Sequence, residues 1–320
     1  MLSNGYCLSE EASMKLLIAY DGSDYAKAAI RDLRRSGIPD DATALVTTVG
    51  EPAAITVGTP SLDPSIARRT DAALTQGRQD SAVSLSQAEE LAQEGIALIA
   101  GLFAGWNVTT HVRLGKPAEV IIDSADAWSA DLTVVGAQGR SALGRLLIGS
   151  VSQHVATKSP RSVLVARRVI DRGDNPVRLV MGIDGSSSQA AVEAVAARNW
   201  SDGTEVHVVA VAGTHRSNAA AKRVPTAAAW IDESNQEQRD TARAAMEHAV
   251  RLLAEKGLRV SDHFVEGTAQ RILNDHAAKY DADCIFVGGQ AFSGVLPNPG
   301  PAHVINALAT SAPCSVEIVR

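Results

Sequence analysis

Two stretches of the chain share one pattern: KLLIAYDGS, from Lys15 to Ser23, and VRLVMGIDGS, from Val177 to Ser186. Each is a short apolar run that ends in Asp-Gly-Ser, which is typical of a buried β-strand followed by a turn. The signal occurs once in each half of a 320-residue chain, which is about the length of two domains. The pattern therefore indicates a tandem duplication.

Further landmarks repeat at a fixed spacing. Three pairs of residues each lie 152 positions apart: Gly115 and Gly267, Asp131 and Asp283, and Gln138 and Gln290. A constant offset over several landmarks supports the duplication. Asp21 and Asp184 are instead 163 positions apart, and the difference of 11 (163 − 152) is explained by a longer segment between Gly50 and Asp80 in the first half.

The repeats are separated by DRGDNP, from Asp171 to Pro176, a polar and turn-forming stretch that favours a linker. We therefore predict an N-terminal extension at residues 1–14, a first domain at residues 15–170 and a second domain at residues 171–320. Two further stretches, Glu51–Asp80 and Gly213–Ile231, follow the second strand of each half. They are predicted as long irregular loops that could serve as lids or partner surfaces.

Each half alternates apolar runs with amphipathic stretches, which is typical of βαβ units in a mostly parallel sheet. In the first half the runs predict strands near residues 15–20, 43–49, 107–114, 131–136 and 162–167. Helices are expected between them, including one from near Ser81 whose apolar stripe has spacings of three and four residues. We predict an α/β fold made of two tandem, doubly wound, five-stranded parallel-sheet domains.

Composition narrows the class of protein. Hydrophobic residues make up 45% of the chain and charged residues 21%, which is ordinary for a globular protein. The net charge of −6 argues against a nucleic-acid partner, and no apolar run is long enough to span a membrane. The N-terminus lacks a secretory pattern and the three cysteines form no C-x-x-C, so we expect a cytoplasmic protein. The histidine spacing predicts no metal site.

The chemically informative segment is VGAQGRSALGRLLIGSVSQHV, from Val135 to Val155. It follows a predicted strand, opens a predicted helix and has the spacing G-x-x-G-x9-G-S, formed by Gly136, Gly139, Gly149 and Ser150. Glycines at the carboxyl end of a strand let main-chain N–H groups approach a phosphate, and a helix start favours anionic oxygens. The hydroxyl groups of Ser150 and Ser152 could donate further hydrogen bonds, and Arg140 and Arg145 add positive charge.

Other interpretations of this loop were considered. It could be a glycine-rich turn in which Ser150 merely caps its helix. A P-loop would need Lys and Ser or Thr where the chain has Arg145 and Leu146. A dinucleotide-binding Rossmann fingerprint would need G-x-G-x-x-G after the first strand, and that spacing is missing there.

The glycine loop, Asp21-Gly22-Ser23 after the first strand and Gly115-Lys116-Pro117 after the third strand together resemble the universal stress protein family. The resemblance extends over nearly the whole chain, twice. It implies a Rossmann-like fold of the adenine nucleotide alpha hydrolase type, in its tandem form, and the ATP-binding branch of the family. ATP would be the ligand, and any Mg²⁺ would be held mainly by its phosphates.

The resemblance also implies roles for individual residues. Asp21 would lie beside the ribose or the adenine. The base would be lined by main-chain groups of Ala19, Tyr20, Thr48 and the turn from Gly115 to Pro117. The phosphates would be held by the glycine loop and the helix start, namely Gly136, Gly139, Arg140, Gly149, Ser150, Val151 and Ser152. No residue is assigned a catalytic or metal-binding role.

The second repeat departs from the pattern. The constant offset places Ala291, Pro301, Ala302 and Val304 at the positions of Gly139, Gly149, Ser150 and Ser152. The hydroxyl donors are lost, and the loop Gly294–His303 contains three prolines, which have no N–H to offer a phosphate. We therefore expect no nucleotide in the second domain, although Asp184 and Gly288 are retained.

Three functions remain open on these grounds. The favoured one is a nucleotide-dependent sensor or adaptor whose ATP occupancy is read by an unidentified protein partner. The alternative is a slow ATP hydrolase or phosphotransfer enzyme, which would need a placed metal and a group that orients the nucleophile. The third is a structural pseudo-dimer without ligand, which the intact first loop disfavours.

The final strand of each half, Ser162–Ala166 and Ser315–Val319, is expected at a sheet edge. Exposed edges tend to be paired or covered. In the resembled family these strands pair across a two-fold axis between subunits. We therefore predict that the two halves pair with each other as a pseudo-dimer within one chain, and that any further homodimer uses another surface.

Overall fold

The computed structural model describes residues 13–52, 64–139, 148–167, 173, 175–185, 187–212, 225–289 and 301–320. Among the predicted features, most of the N-terminal extension, most of the loop Gly294–His303 and part of the linker lie outside these residues.

The first half contains five strands with helices between them. The strands are β1 (Lys15–Ala19), β2 (Thr43–Gly50), β3 (Asn107–Leu114), β4 (Leu132–Gly136) and β5 (Ser162–Ala166). The helices are α1 (Asp24–Asp32), followed by a 3-10 turn at Leu33–Arg35, then α2 (Pro64–Leu102), α3 (Pro117–Ala127) and α4 (Ser150–Lys158). All five predicted strands are confirmed to within one residue at each end.

The second half repeats this order of elements. Its strands are β6 (Arg178–Ile183), β7 (Glu205–Ala212), β8 (Arg259–Glu266), β9 (Cys284–Gly288) and β10 (Ser315–Val319). Its helices are α5 (Gln189–Ala196), α6 (Pro225–Glu255), α7 (Ala269–Lys279) and α8 (Pro301–Ser311). The duplication inferred from residue spacing is thus a duplication of structure.

The two predicted long loops are wrong in part, because helices occupy much of both stretches. Helix α2 begins at Pro64 rather than near Ser81, and α6 begins at Pro225. The fully buried positions of the apolar stripe on α2 start only at Ala88. Hydrophobic periodicity marks only the part of a helix with a regular apolar stripe, and here it did not locate the first turns. Proline at the first helical position was the available signal.

The ten strands form one sheet in the order β3-β2-β1-β4-β5-β10-β9-β6-β7-β8. Within each half the described strand pairs are parallel. The second strand of each half lies on one side of the first strand and the fourth strand lies on the other side, so the strand order reverses between the first and fourth strands. Strands β5 and β10 pair antiparallel, with Leu164 opposite Glu317. The predicted pairing of the two final strands within one chain is therefore confirmed.

The two faces of the sheet pack differently. On one face a single hydrophobic core runs through both halves and joins residues such as Val163 and Val165 to Val316 and Ile318. On the other face each half has a core of its own. The halves are consequently joined by shared apolar burial on one face, in addition to the strand pairing.

Reciprocal hydrogen bonds relate the two halves on the shared face. Arg167 Nη2 donates to the carbonyl of Ala309 in α8 (2.5 Å), and Arg320 Nη2 donates to the carbonyl of Ala156 in α4 (2.6 Å). Between α4 and α8, Gln153 Nε2 donates to Asn306 Oδ1 at 2.7 Å. Helix α4 is therefore held directly by side chains of the second half.

A buried ion pair lies at the junction on the opposite face. The Arg198 guanidinium donates to both carboxylate oxygens of Glu317, and the two side chains are 5% and 1% exposed. Arg198 Nη1 also donates to the main-chain oxygen of Ser36 in the first half (3.0 Å). The pair is thus desolvated but fully hydrogen-bonded, which is the condition under which buried charges are tolerated.

Removing one member of this pair is expected to destabilise the protein strongly. The variant Arg198→Met leaves the Glu317 carboxylate buried without its partner, so the free energy of unfolding should fall by about 3–5 kcal/mol. Adding Glu317→Leu, the residue found at position 164 in the first half, should restore most of the loss. Urea denaturation measures the free energy of unfolding of the single and the double variant.

Arg271→Met, which removes an exposed ion pair with Asp275, is the control and should lower the free energy of unfolding by less than about 0.5 kcal/mol. A double variant as unstable as the single one would contradict the argument.

A cluster of three histidines is formed by His207 of β7, His263 of β8 and His276 of α7 in the second half. The His207 ring stacks on Tyr280 with a centroid distance of 3.7 Å, and the His263 and His276 centroids are 5.2 Å apart. His207 Nδ1 is 2.7 Å from Ser261 Oγ. Burial lowers the pKa of His207 and of His263, and the neighbouring histidines lower both further.

Charged groups around the cluster act in both directions on these pKa values. Arg178 lowers the pKa of His207 and Lys279 lowers that of His263, while Glu205 and Asp262 oppose them. The net result for both imidazoles is a folded-state pKa below the unfolded value of about 6.5. The stabilisation from neutral imidazoles is therefore complete above about pH 6.5 and is lost as the pH falls through the depressed pKa values.

The free energy of unfolding should accordingly decline from about pH 7 to about pH 5. Urea titrations over this range measure the decline, and His207→Leu should make it shallower because one of the buried titrating groups is removed. The exposed His303 serves as control, since His303→Leu should leave the slope unchanged. An identical slope in the His207→Leu variant would count against the cluster as its origin.

Candidate functional site

The predicted site residues lie along the carboxyl ends of β3, β2, β1 and β4, which are consecutive in the sheet. Gly115 follows β3, Asp21 comes two residues after the end of β1, and Gly136 ends β4. The strand order reverses between β1 and β4, and ligands of open α/β sheets bind in the crevice at such a reversal. The topology thus brings the two main motifs to the two sides of one crevice.

The turn after β1 fixes the carboxylate of Asp21. The N–H of Ser23 donates to Asp21 Oδ1 (3.0 Å), and Gly22 has φ = +77°, a conformation that favours glycine. Ser23 caps α1, because its Oγ accepts from the N–H of Ala26 (3.2 Å). Asp21 is therefore both a turn-forming residue and a carboxylate held at the crevice.

Two glycines of the loop permit close approach of neighbouring groups. A Cβ at Gly139 would lie 2.9 Å from Asp21 Oδ2, so the motif after β1 and the motif after β4 are in contact. A Cβ at Gly136 would lie 2.9 Å from the carbonyl carbon of Tyr25 in α1. Gly139 leaves space for the Asp21 carboxylate, whereas Gly136 is required because the main chain of β4 packs directly against the main chain of α1.

The start of α4 presents main-chain donors. The N–H of Gly149 donates to the carbonyl of Ala137 (2.7 Å), and the first helical bond runs from Gln153 N–H to Gly149 (2.9 Å). The N–H groups of Ser150, Val151 and Ser152 therefore have no acceptor within the helix. They lie at the positive end of the helix dipole, where anions are favoured. A Cβ at Gly149 would make ordinary van der Waals contacts with the described residues, the nearest being the carbonyl oxygen of Ala137 at 3.6 Å.

The hydroxyls of the two serines are in different environments. Ser150 is exposed, whereas Ser152 is 5% exposed and its Oγ donates to the carbonyl of Gly136 at 2.5 Å. The sequence-based expectation that the Ser152 hydroxyl donates to a phosphate is corrected here, because its one proton is directed at the main chain. Val151 is half-buried and packs on the shared core.

The residues predicted to line a base offer fewer donors than expected. Ala19 pairs with Thr47, and the N–H of Tyr20 donates to the carbonyl of Thr47 (3.0 Å). The N–H of Gly115 donates to Gly50 (3.0 Å), and Pro117, the first residue of α3, has none. The N–H groups of Tyr20 and Gly115 are therefore already bonded within the protein, and this part of the site can contribute carbonyl oxygens and apolar surface.

The side chain of Tyr20 does not take part in the crevice. It is 2% exposed and packs beneath α2, where a Cβ at Gly95 would be 3.2 Å from its ring. Burial, together with the nearby Glu94 carboxylate, raises the pKa of Tyr20 above its usual range. The phenol therefore stays neutral and serves the core.

Two threonines in β2 have buried hydroxyls that find no hydrogen-bond partner within the described residues. They are Thr48, whose main chain was predicted to line the base, and Thr47, which the sequence did not single out. Thr48 follows the residue that pairs with Ala19, so it lies level with Tyr20 at the crevice. A buried polar atom without a partner is costly, and a bound ligand is one way to satisfy it. Polar residues within the apolar run TALVTTVG were the signal.

The equivalent region of the second half is built differently. Asp184 Oδ2 accepts a hydrogen bond from Ser187 Oγ (2.5 Å), and Gly288 is pressed against the main chain of Ser187. Helix α8 begins at Pro301, the position equivalent to Gly149, and Val304 replaces Ser152 and packs on the shared core. Arg140, Arg145 and Ala291 lie outside the described residues.

Among the described residues, no group of three or more His, Cys, Asp or Glu side chains could hold a metal ion. Within the same part of the chain, no helix combines the length and the apolar character needed to cross a bilayer.

The loop glycines differ in their importance for folding, which substitution can test. Gly136→Ala should lower the free energy of unfolding by about 1–3 kcal/mol, because its Cβ meets the main chain of α1. Gly149→Ala, whose Cβ has room, should cost less than about 1 kcal/mol. Urea denaturation of both variants without ligand gives the comparison. Equal losses would show that the close approach at Gly136 is not structurally important.

Comparison with known proteins assigns the family. The model of the universal stress protein family matches residues 13–167 and again residues 177–320. A Thermus aquaticus relative, "Universal stress protein in QAH/OAS sulfhydrylase 3'region", is 33% identical over 153 residues, which cover 48% of this chain and 97% of that protein. Universal stress protein YxiE of Bacillus subtilis is 29% identical over 156 residues, covering 48% and 98%. The crystal structure of a universal stress protein from Archaeoglobus fulgidus shares the fold, with a TM-score of 0.58, 18% identity and coverage of 97% and 99%. The chain therefore belongs to the universal stress protein family, with one copy of the family domain in each half.

Proposed function

We propose that the first half binds one molecule of ATP and that the protein acts as a nucleotide-dependent sensor or adaptor in the cytoplasmic stress response. The observation that carries the proposal is the contact between two motifs across the crevice. The anchored carboxylate of Asp21 adjoins Gly139, and Gly139 N lies 3.7 Å from the Cβ position of Gly149 at the start of α4. A single ligand with a polar organic part and an anionic part could therefore contact both the Asp21 carboxylate and the start of α4.

The anionic part of the ligand would lie at the start of α4. The N–H groups of Ser150, Val151 and Ser152 offer donors, the helix dipole favours negative charge, and the exposed Ser150 hydroxyl adds a donor. The missing Cβ at Gly149 would allow the ligand to approach the main chain closely. Arg140 would add positive charge, and any Mg²⁺ would be held mainly by the phosphates.

The nucleoside part would lie toward β1 and β2. A carboxylate accepts hydrogen bonds, so Asp21 suits a ribose hydroxyl or an amino group rather than a phosphate. The buried Thr48 hydroxyl would gain the partner that it lacks among the described residues. The turn from Gly115 to Pro117 and the main chain at Ala19 and Tyr20 would contribute carbonyl oxygens and apolar surface.

The second half is proposed to bind no nucleotide. Pro301 and Ala302 stand at the positions of Gly149 and Ser150, so the exposed Ser150 hydroxyl has no counterpart, and the Asp184 carboxylate accepts from Ser187. The functional division would follow the domain limits proposed from the sequence, residues 15–170 and 171–320. A protein partner would then respond to occupancy of the first half.

Calorimetric titration of the nucleotide-free chain with ATP should give one site. Gly149→Val should weaken binding at least about tenfold while circular dichroism and the unfolding midpoint stay near wild type, since a branched side chain would enter the phosphate path at an exposed helix start. Pro301→Val, at the equivalent position of the second half, is the matched control and should leave stoichiometry and affinity unchanged.

Two equivalent ATP sites, or near-normal affinity in a folded Gly149→Val variant, would refute the proposal. Chromatographic analysis of the titrated samples also tests the alternative of slow hydrolysis, because ADP would accumulate over hours in the wild type and not in Gly149→Val.

A further inference from the structure

We propose that Ser152 is a positioning residue, which ties the start of α4 to the end of β4 and so holds the N–H groups of Ser150 to Ser152 in place for phosphate. The inference deepens the proposed function and rests on it. It assigns the Ser152 hydroxyl to the protein's own main chain instead of to the nucleotide.

The geometry of the contact is that of a brace within the protein. Ser152 is 5% exposed, and its Oγ lies 2.5 Å from the carbonyl oxygen of Gly136, sixteen residues earlier. Gly136 is the last residue of β4 and pairs with Ala166 of β5, so the acceptor belongs to the rigid sheet. The brace therefore connects the first turn of the helix directly to the middle of the fold.

A second hydrogen bond reinforces the same connection. The N–H of Gly149, three residues before Ser152, donates at 2.7 Å to the carbonyl of Ala137, which is one residue after Gly136. Together the two bonds close the base of the glycine loop between residues 136–137 and 149–152. The start of α4 is thus fixed relative to the end of β4 by two hydrogen bonds.

The chemistry of a hydroxyl makes direct donation to phosphate incompatible with this brace. Serine has one O–H proton, and in this structure it is directed at Gly136. The remaining lone pairs of Oγ would repel a phosphate oxygen. The contribution of Ser152 to phosphate binding is therefore its main-chain N–H and the orientation that its side chain imposes on Ser150 and Val151.

The second half provides an internal comparison. The residue equivalent to Ser152 is Val304, which has no proton to donate and packs on the shared core. Helix α8 there begins at Pro301, one position earlier than α4 begins, so its first turn is set differently and its first residue has no N–H. The second half thus has no side-chain donor at Val304 and a proline at the first position of α8, whereas α4 has both the Ser152 brace and an N–H at its first residue.

The test measures ligand affinity and local protection in the full-length chain. Ser152→Ala should weaken ATP binding about tenfold, the loss expected for one hydrogen bond, while adenosine binding should stay within about twofold. Hydrogen exchange of the peptide containing residues 149–153, measured without nucleotide, should become faster. Ser152→Thr retains the hydroxyl and should rescue both properties. Ser150→Ala, on the same helix turn, should weaken ATP binding without changing exchange in the free protein.

Each outcome decides a different point. A folded Ser152→Ala variant with wild-type ATP affinity would overturn the inference, and so would weakened affinity with unchanged exchange, which would make Ser152 a direct ligand. If Ser152→Ala fails to fold, Ser152→Cys, which keeps the size and a weak donor, replaces it and should show intermediate exchange and affinity. A wild-type chain that binds no ATP would refute the proposed function, while faster exchange in Ser152→Ala would still establish the brace.

Discussion

The antiparallel pairing of β5 with β10 is the contact on which the arrangement of the two halves depends. All five residues of each strand are buried, whereas no residue is buried in the outer strands β3 and β8. An unpaired apolar edge exposes main-chain donors and acceptors and invites association with other chains. Because each half covers the edge of the other, the sheet continues through the junction. Its two exposed edges are β3 and β8, which carry polar residues.

Strand pairing is made by main-chain groups and tolerates many side chains, so the two halves can differ at equivalent positions. Leu164 and Glu317 face each other at the centre of the junction, and Arg198 of the second half neutralises the buried Glu317 carboxylate. Arg35 of the first half pairs in turn with the buried carboxylate of Asp283 in the second half. The hydrogen-bonded frame is common to both halves, while single positions differ, such as Gly149 and Pro301 at the start of α4 and α8.

The sequence predicted those features that follow from local pattern. Buried parallel strands such as β4 are continuous apolar runs bounded by turns, so their limits were found to within a residue, and glycine spacing located the main chain of the site. The starts of α2 and α6 were missed because they were sought from an apolar stripe, whereas each helix begins at a proline, Pro64 and Pro225. The acceptors of the Ser152 hydroxyl and the Tyr20 N–H could not be predicted, since each depends on which carbonyl the tertiary fold places within reach.

Helix α4 connects the candidate site to the junction of the two halves. Its first turn carries the free N–H groups and the Ser152 brace to β4. Its next turn is held from the second half, because Gln153 donates to Asn306 and the carbonyl of Ala156 accepts from Arg320. A change in the position of α4 on binding an anion would therefore strain contacts with α8 and with the end of β10. The start of α4 in the first half is in this way linked to the second half by directional hydrogen bonds, which a purely apolar interface would not provide.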